Sequence, residues 1–301
     1  MKRRNLALLA AAALALGIVL ADGGAPWPTQ NIPKEAPDAP KAYPPGELGK
    51  MVKLGEDIFN NTDTHPLSKQ YVGNKLQCKS CHSNSGKDKT RYSTFIGTAS
   101  SFPAYSPREK TVLTLEGRSL NCFMRSMNGI RPPVGSKVSV ALATYITWIS
   151  TGMPVDMNPN KPVGPYNYPW PDPEVISVVK SGKVDMANGE KIYNTQCAAC
   201  HGTDGNGIGP FPPVWGDNSY NSGAGMSNVI KGGSWVRYNM PPGYAHLSAQ
   251  QAADVMAYVN SHPRPSFKLT EHLPPAEKMG EYNTNVPEQI IPAPTWPPKK
   301  K

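Results

Sequence analysis

The chain has 301 residues, with 31 Lys and Arg against 22 Asp and Glu and a net charge of +9. The positive charges are scattered, with no basic helix and no aromatic-basic platform, so nucleic acid is excluded as the partner; small anions or an acidic protein surface suit the balance. Its 33 prolines, well above the usual level of about 5%, exclude one continuous helical or sheet core.

In chain order, Lys2, Arg3 and Arg4 precede an uncharged apolar run from Leu6 to Ala21. That pattern predicts a secretory signal peptide over residues 1–21, cleaved before Asp22, and a periplasmic mature protein. The run is short for a membrane span, which needs about 20 residues. No other stretch is apolar enough, so no integral membrane span is expected after cleavage. Pro26 to Pro45 holds seven prolines and Pro154 to Pro173 another seven. Such segments cannot be helix or central strand. They mark a Pro-rich N-terminal arm (22–47), a linker (156–175) and, with the prolines beyond Pro263, a C-terminal extension (269–301). Two domains are left between them, at 48–155 and 176–268.

Each domain carries one CxxCH motif: Cys78-Lys79-Ser80-Cys81-His82 and Cys197-Ala198-Ala199-Cys200-His201. Two cysteines at this spacing reach the two vinyl groups of one haem, and the adjacent histidine ligates the iron. A zinc or disulfide pair is the competing reading, and two matches in an exported chain weigh against it. The context repeats as well. Gly55-Glu56-Asp57-Ile58-Phe59 and Gly189-Glu190-Lys191-Ile192-Tyr193 share the pattern G-E-x-I-aromatic. The glycine and the ring lie on one helical face, where a small residue lets another helix come close. Helical runs ending each domain follow: Val138, Leu142, Tyr145, Ile146 and Ile149 in the first, and Val255, Tyr258 and Val259 behind the cap Ser248 in the second. Glycine and haem motif are 23 residues apart in the first domain and 8 in the second, so the first carries an insertion. The expected fold is all-α, two class I cytochrome c domains in tandem with a Pro-rich linker and extensions. The cofactors are two covalently bound haem c. Each proximal histidine needs an oriented hydrogen-bond acceptor; the loop after His201 resembles that of many class I cytochromes, where a proline carbonyl serves, which implies Pro213 for His201 and Pro103 for His82.

The distal ligands come next. Met240 lies 39 residues after His201, in Tyr238-Asn239-Met240-Pro241-Pro242-Gly243. A methionine held in a stiff loop there is read as the sixth ligand. The same count from His82 reaches Asn121 and Cys122. Cys122 is the odd fifth cysteine, with Met124 and Met127 as competing ligands and Met153 badly placed. A helix from about Leu115 to Asn128 sets Arg118, Cys122, Arg125 and Ser126 on one face. Guanidinium groups beside a thiol favour thiolate and bind a small dianion through forked hydrogen bonds. Inert burial or an intermolecular disulfide is the plainer reading of Cys122. The remaining histidines, His65, His246, His262 and His272, are taken as surface residues.

The two haem motifs together with the run Arg118…Cys122-Phe123…Arg125-Ser126…Asn128-Gly129 resemble the dihaem thiosulfate dehydrogenases, over residues 48–268. The cysteine segment is the most specific part. The resemblance implies oxidation of thiosulfate to tetrathionate, reversed in some members. It implies His82 and Cys122 as ligands of a catalytic haem, and His201 and Met240 as ligands of an electron-transfer haem. Arg118, Ser126 and Arg108 match positions that hold substrate. Electrons would pass to a soluble or membrane-bound cytochrome. In one departure, Asn239 stands where some members have a lysine that exchanges with the methionine. The rival readings are a Sox-type thiosulfate-conjugating haem protein and a non-catalytic dihaem electron-transfer cytochrome.

Overall fold

The computed structural model describes residues 37–155, 170–273 and 290–291. The expected signal peptide, most of the N-terminal arm and most of the linker and C-terminal extension lie outside the described residues.

The first domain is built on a crossing of α1 (Gly46–Asn60) with a last helix, α3 (Lys137–Ile149). Between them in sequence comes α2 (Leu115–Arg125). The second domain repeats the crossing with α5 (Met186–Ile192) against α8 (Ala249–Ser261), accompanied by α4 (Pro173–Lys180), α6 (Ala198–His201) and α7 (Val229–Asn239). The two G-E-x-I-aromatic glycines make both crossings possible. A Cβ on Gly55 would lie 2.1 Å from the Ala141 carbonyl oxygen, and one on Gly189 would lie 2.1 Å from that of Asp254. Polar caps start the helices: Thr114 accepts from Gly117 N, Ser136 from Ser139 N, and Ser248 forms a capping box with Gln251. The α2 helix stops at Arg125, three residues before the expected end. Asn128 takes a positive φ of 44° and Gly129 N donates to Phe123 O at 2.8 Å, which closes the C-terminus.

The first core holds Ile58, Phe59, Leu120, Phe123, Met127, Leu142, Tyr145 and Ile149, and the second Ile192, Tyr193, Trp215, Trp235, Val255 and Val259. The cores interpenetrate. Tyr220 and Ala224 of the second domain belong to the first core, while Cys81 and Tyr92 of the first pack on the second. Hydrogen bonds cross the seam from Asn221 Nδ2 to Met124 O (2.7 Å), from Asn74 Nδ2 to Ser219 O (2.8 Å) and from Asn239 Nδ2 to Arg91 O (3.0 Å).

Among the described residues helix dominates, as expected, with two small antiparallel pairs added. Strand β1 (Ala104–Ser106) pairs with β2 (Thr111–Leu113), and β3 (Phe267–Lys268) with β4 (Ile290–Ile291). The first pair matters, because its turn carries Arg108 and Glu109. The expectation of a surface His272 is corrected. It is buried, stacks on Phe267 at 5.0 Å, and its Nδ1 lies 2.7 Å from Gly129 O. The chain after α8 folds back onto the first domain there, with Arg131 N donating to His272 O at 2.8 Å.

Candidate haem centres and thiol site

In the first domain Cys78 opens a short 3₁₀ turn, Cys78–Ser80. Thr62 Oγ1 accepts from Cys78 N at 3.1 Å and donates to its sulfur at 3.3 Å. His82 Nδ1 lies 2.8 Å from Ser93 O, which leaves Nε2 for a metal. Ser93 therefore takes the role expected of Pro103. The reason is local: Ser93 Oγ also accepts from Ser83 N at 3.1 Å, which pins this loop under the histidine. Burial pushes the thiols of Cys78 and Cys81 up to about 12, and the charge of Cys122 adds to both. Burial likewise pulls the His82 imidazole down to about 4, against the pull of the Ser93 carbonyl. It is therefore neutral near pH 7, the form that ligates iron.

In the second domain a single π turn, Tyr193–Cys197, leads into α6 and its histidine. His201 Nδ1 lies 2.8 Å from Pro212 O, one residue before the expected Pro213. The loop is tighter than its sequence suggests. Gly207 approaches so closely that a Cβ would lie 2.2 Å from Phe211 O and 2.9 Å from the Pro212 carbonyl carbon. Met240 follows α7 directly, donates its backbone N–H to Val236 O at 2.9 Å, and packs with Cys197 on the same core. Beside it, buried Asn239 bonds both Trp235 O (2.9 Å) and Arg91 O (3.0 Å). Met240→Leu keeps the volume and removes the sulfur. It is expected to lower the reduction potential of the second haem and leave that of the first unchanged in a potentiometric titration.

The thiol site lies on α2. Arg118 Nη1 donates to Cys122 Sγ at 3.3 Å. Cys122 in turn is the main reason that the Arg118 guanidinium is held above its ordinary range. Met124 and Met127 are taken up in the core. From the β1–β2 turn, Arg108 joins this field. Desolvation, Arg118 and Arg125 draw its guanidinium down toward about 10, a pull tempered by the exposure of its side chain to solvent. Arg125 also serves the domain seam: Nη1 donates to Gly223 O at 3.3 Å, and the guanidinium lies 4.4 Å over the Phe267 ring. Ser126 caps the end of α2, and its carbonyl accepts from Asn74 Nδ2 at 2.9 Å.

Glu109 is a member of the site that sequence reasoning missed. It is buried, accepts hydrogen bonds from Ser106 Oγ and Asn121 Nδ2, and lies 3.7 Å from Arg125 Nη2. Lys231 on α7 feels the same charges from the second domain. Burial lowers its ammonium, as do Arg108, Arg118 and Arg125. The only sequence signal for Glu109 was its place next to Arg108. Lys231 gave none.

These residues fit two haem c groups. All five cysteines are free of disulfides, each pair sits beside a histidine whose Nδ1 is already engaged, and Met240 lies in the second core. The buried indole N–H of Trp235 has no acceptor among the described residues, and a haem propionate would supply one. Fold and site together define a dihaem c-type cytochrome with a cation-flanked free thiol in its first domain.

Comparison with known proteins agrees. The family model "SoxA/TsdA, cytochrome c domain" matches residues 68–155, and "Cytochrome C oxidase, cbb3-type, subunit III" matches residues 184–259. A thiosulfate dehydrogenase of Thiomonas intermedia is 38% identical over 77% of this chain and 72% of its own length. One of Allochromatium vinosum is 32% identical over 87% and 94%. The solved thiosulfate dehydrogenase TsdBA of Marichromatium purpuratum superposes with a TM-score of 0.67 at 34% identity over 77% of this chain. The chain spans half the length of that structure. It belongs to the thiosulfate dehydrogenase family.

Proposed function

We propose that the protein is a periplasmic enzyme that joins two thiosulfate ions into tetrathionate at Cys122. The observation that carries this reading is the Arg118–Cys122 contact at 3.3 Å, set among further cations, Arg108 and Arg125. Thiosulfate is a dianion, and joining two brings four negative charges together. One unit pair at 4 Å costs about 4 kcal/mol at an effective dielectric of 20, so fixed cations must offset it.

His82 and Cys122 would hold the first haem, and His201 and Met240 the second. Bound there, the haems would supply one-electron acceptance, and a Cys122 thiolate on the first and Met240 on the second would favour passage of electrons outward to an external cytochrome. Cys122 forms a bond to the sulfane sulfur of the first thiosulfate, and two electrons leave as it forms. The second thiosulfate attacks that sulfur, the Cys122–sulfur bond breaks, and tetrathionate departs with the thiolate restored. Arg118, Arg108 and Ser126 orient the anion, with Arg125 contributing charge from the seam. Asn239, bound to two carbonyls, offers no amine to displace Met240.

Arg118→Met is expected to lower kcat/KM for thiosulfate by about a hundredfold, with Arg118→Lys restoring only part, because lysine lacks the fork. The reading is tested by steady-state assay of purified holoprotein with thiosulfate and an artificial electron acceptor. Tetrathionate should appear in step with acceptor reduction; haem oxidation and reduction without tetrathionate would overturn it.

A further inference from the structure

Lys231 breaks several local rules at once. It lies in the first turn of α7, where its backbone N–H donates to the cap Asn228 at 3.1 Å. A cation there opposes the helix dipole. The side chain is half-buried, yet among the described residues no carboxylate pairs with it. Residues that break local rules without a structural return are candidates for function.

Its surroundings point to the thiol site. The stem passes Gly225, on which a Cβ would lie 4.0 Å from Lys231 Cδ. The loop bearing Gly225 is tied to the end of α2: Asn221 N donates to Arg125 O at 3.2 Å, Asn221 Nδ2 to Met124 O at 2.7 Å, and Arg125 Nη1 to Gly223 O at 3.3 Å. Three guanidinium groups, Arg108, Arg118 and Arg125, bear on its ammonium, as does Glu109 in the opposite sense. These are the charged groups gathered around Cys122. Counting Lys231, the site gathers four cations around one carboxylate, Glu109, an excess of positive charge that suits an anionic ligand.

We propose that Lys231, carried by the second domain, is a substrate-binding residue of the thiol site and takes the sulfonate of the thiosulfate that is not bonded to Cys122. This rests on the thiosulfate reading above. The anion site is then complete only when both domains are packed, because three of its cations come from one and the fourth from the other.

The test is steady-state kinetics of holoenzyme carrying Lys231→Met, Lys231→Gln or Lys231→Arg at fixed ionic strength. Both neutral variants should raise KM for thiosulfate about tenfold to a hundredfold, with kcat within about threefold of wild type. Lys231→Arg should recover most of the loss, and the salt dependence of kcat/KM should flatten in the neutral variants. A purely structural lysine would instead shift the unfolding midpoint and leave KM alone. Wild-type turnover with an unchanged KM in either neutral variant overturns the role of Lys231. Absence of turnover in the wild type overturns the thiosulfate reading itself.

Discussion

Replacing Cys122 with glycine is expected to cut tetrathionate formation by more than about a thousandfold, the scale on which removal of a covalent nucleophile acts. Both haems should remain attached, because Cys78, Cys81, Cys197 and Cys200 are untouched. The effect is large because Cys122 is asked to do two things that no neighbour can share. In the proposed mechanism it would ligate the first haem and carry the sulfane sulfur between the two anions. Arg118 and Arg108 can hold an anion but cannot form a sulfur–sulfur bond. The measurement is turnover per haem, with haem content taken from the absorption spectrum. Retained turnover with both haems present would remove Cys122 from the chemistry.

The second large effect concerns the fold. Gly55→Val is expected to destabilise the first domain by about 3 kcal/mol or more, read as a lower urea midpoint. Its Cβ would meet the Ala141 carbonyl at 2.1 Å and Tyr145 Cβ at 2.6 Å, and helix backbone cannot turn aside. α1 must then lift from α3. Phe59 rides on α1 and packs edge-on to Phe95 at 5.4 Å, which lies against the His82 ring at 4.2 Å. The haem spectrum of the first domain should therefore change along with its stability. Gly182→Ala provides the contrast. Its φ is +70° with nothing within 4 Å, so it should cost only backbone strain, about 1 kcal/mol.

Much of the fold is legible in the sequence. The repeated G-E-x-I-aromatic pattern predicted both helix crossings, because only a glycine lets two helix backbones come so near. The CxxCH pairs predicted the haem attachment, and counting from each histidine is what proposes Cys122 as the counterpart of Met240. Arg118 lying four residues before Cys122 on one helix became a direct hydrogen bond. What sequence missed depended on how loops close. The acceptors for His82 and His201 are Ser93 and Pro212, choices made by loop tightness at Ser83 and Gly207 rather than by residue type. Glu109 was hidden because its turn belongs to a strand pair too short to show a period. Lys231 was hidden because it belongs to the other domain, and helical spacing says nothing of charges across a domain seam.

The central claim is that Cys122 carries sulfur as a covalent adduct. The reverse of its second step needs no electrons, since a Cys122 thiolate can attack tetrathionate and expel thiosulfate. Oxidised holoprotein mixed with excess tetrathionate and no electron donor, then digested and examined by mass spectrometry, tests this directly. The account predicts a thiosulfonate group on Cys122, a matching release of thiosulfate, and no adduct in Cys122→Gly. An unmodified Cys122 in protein that turns over thiosulfate would contradict it.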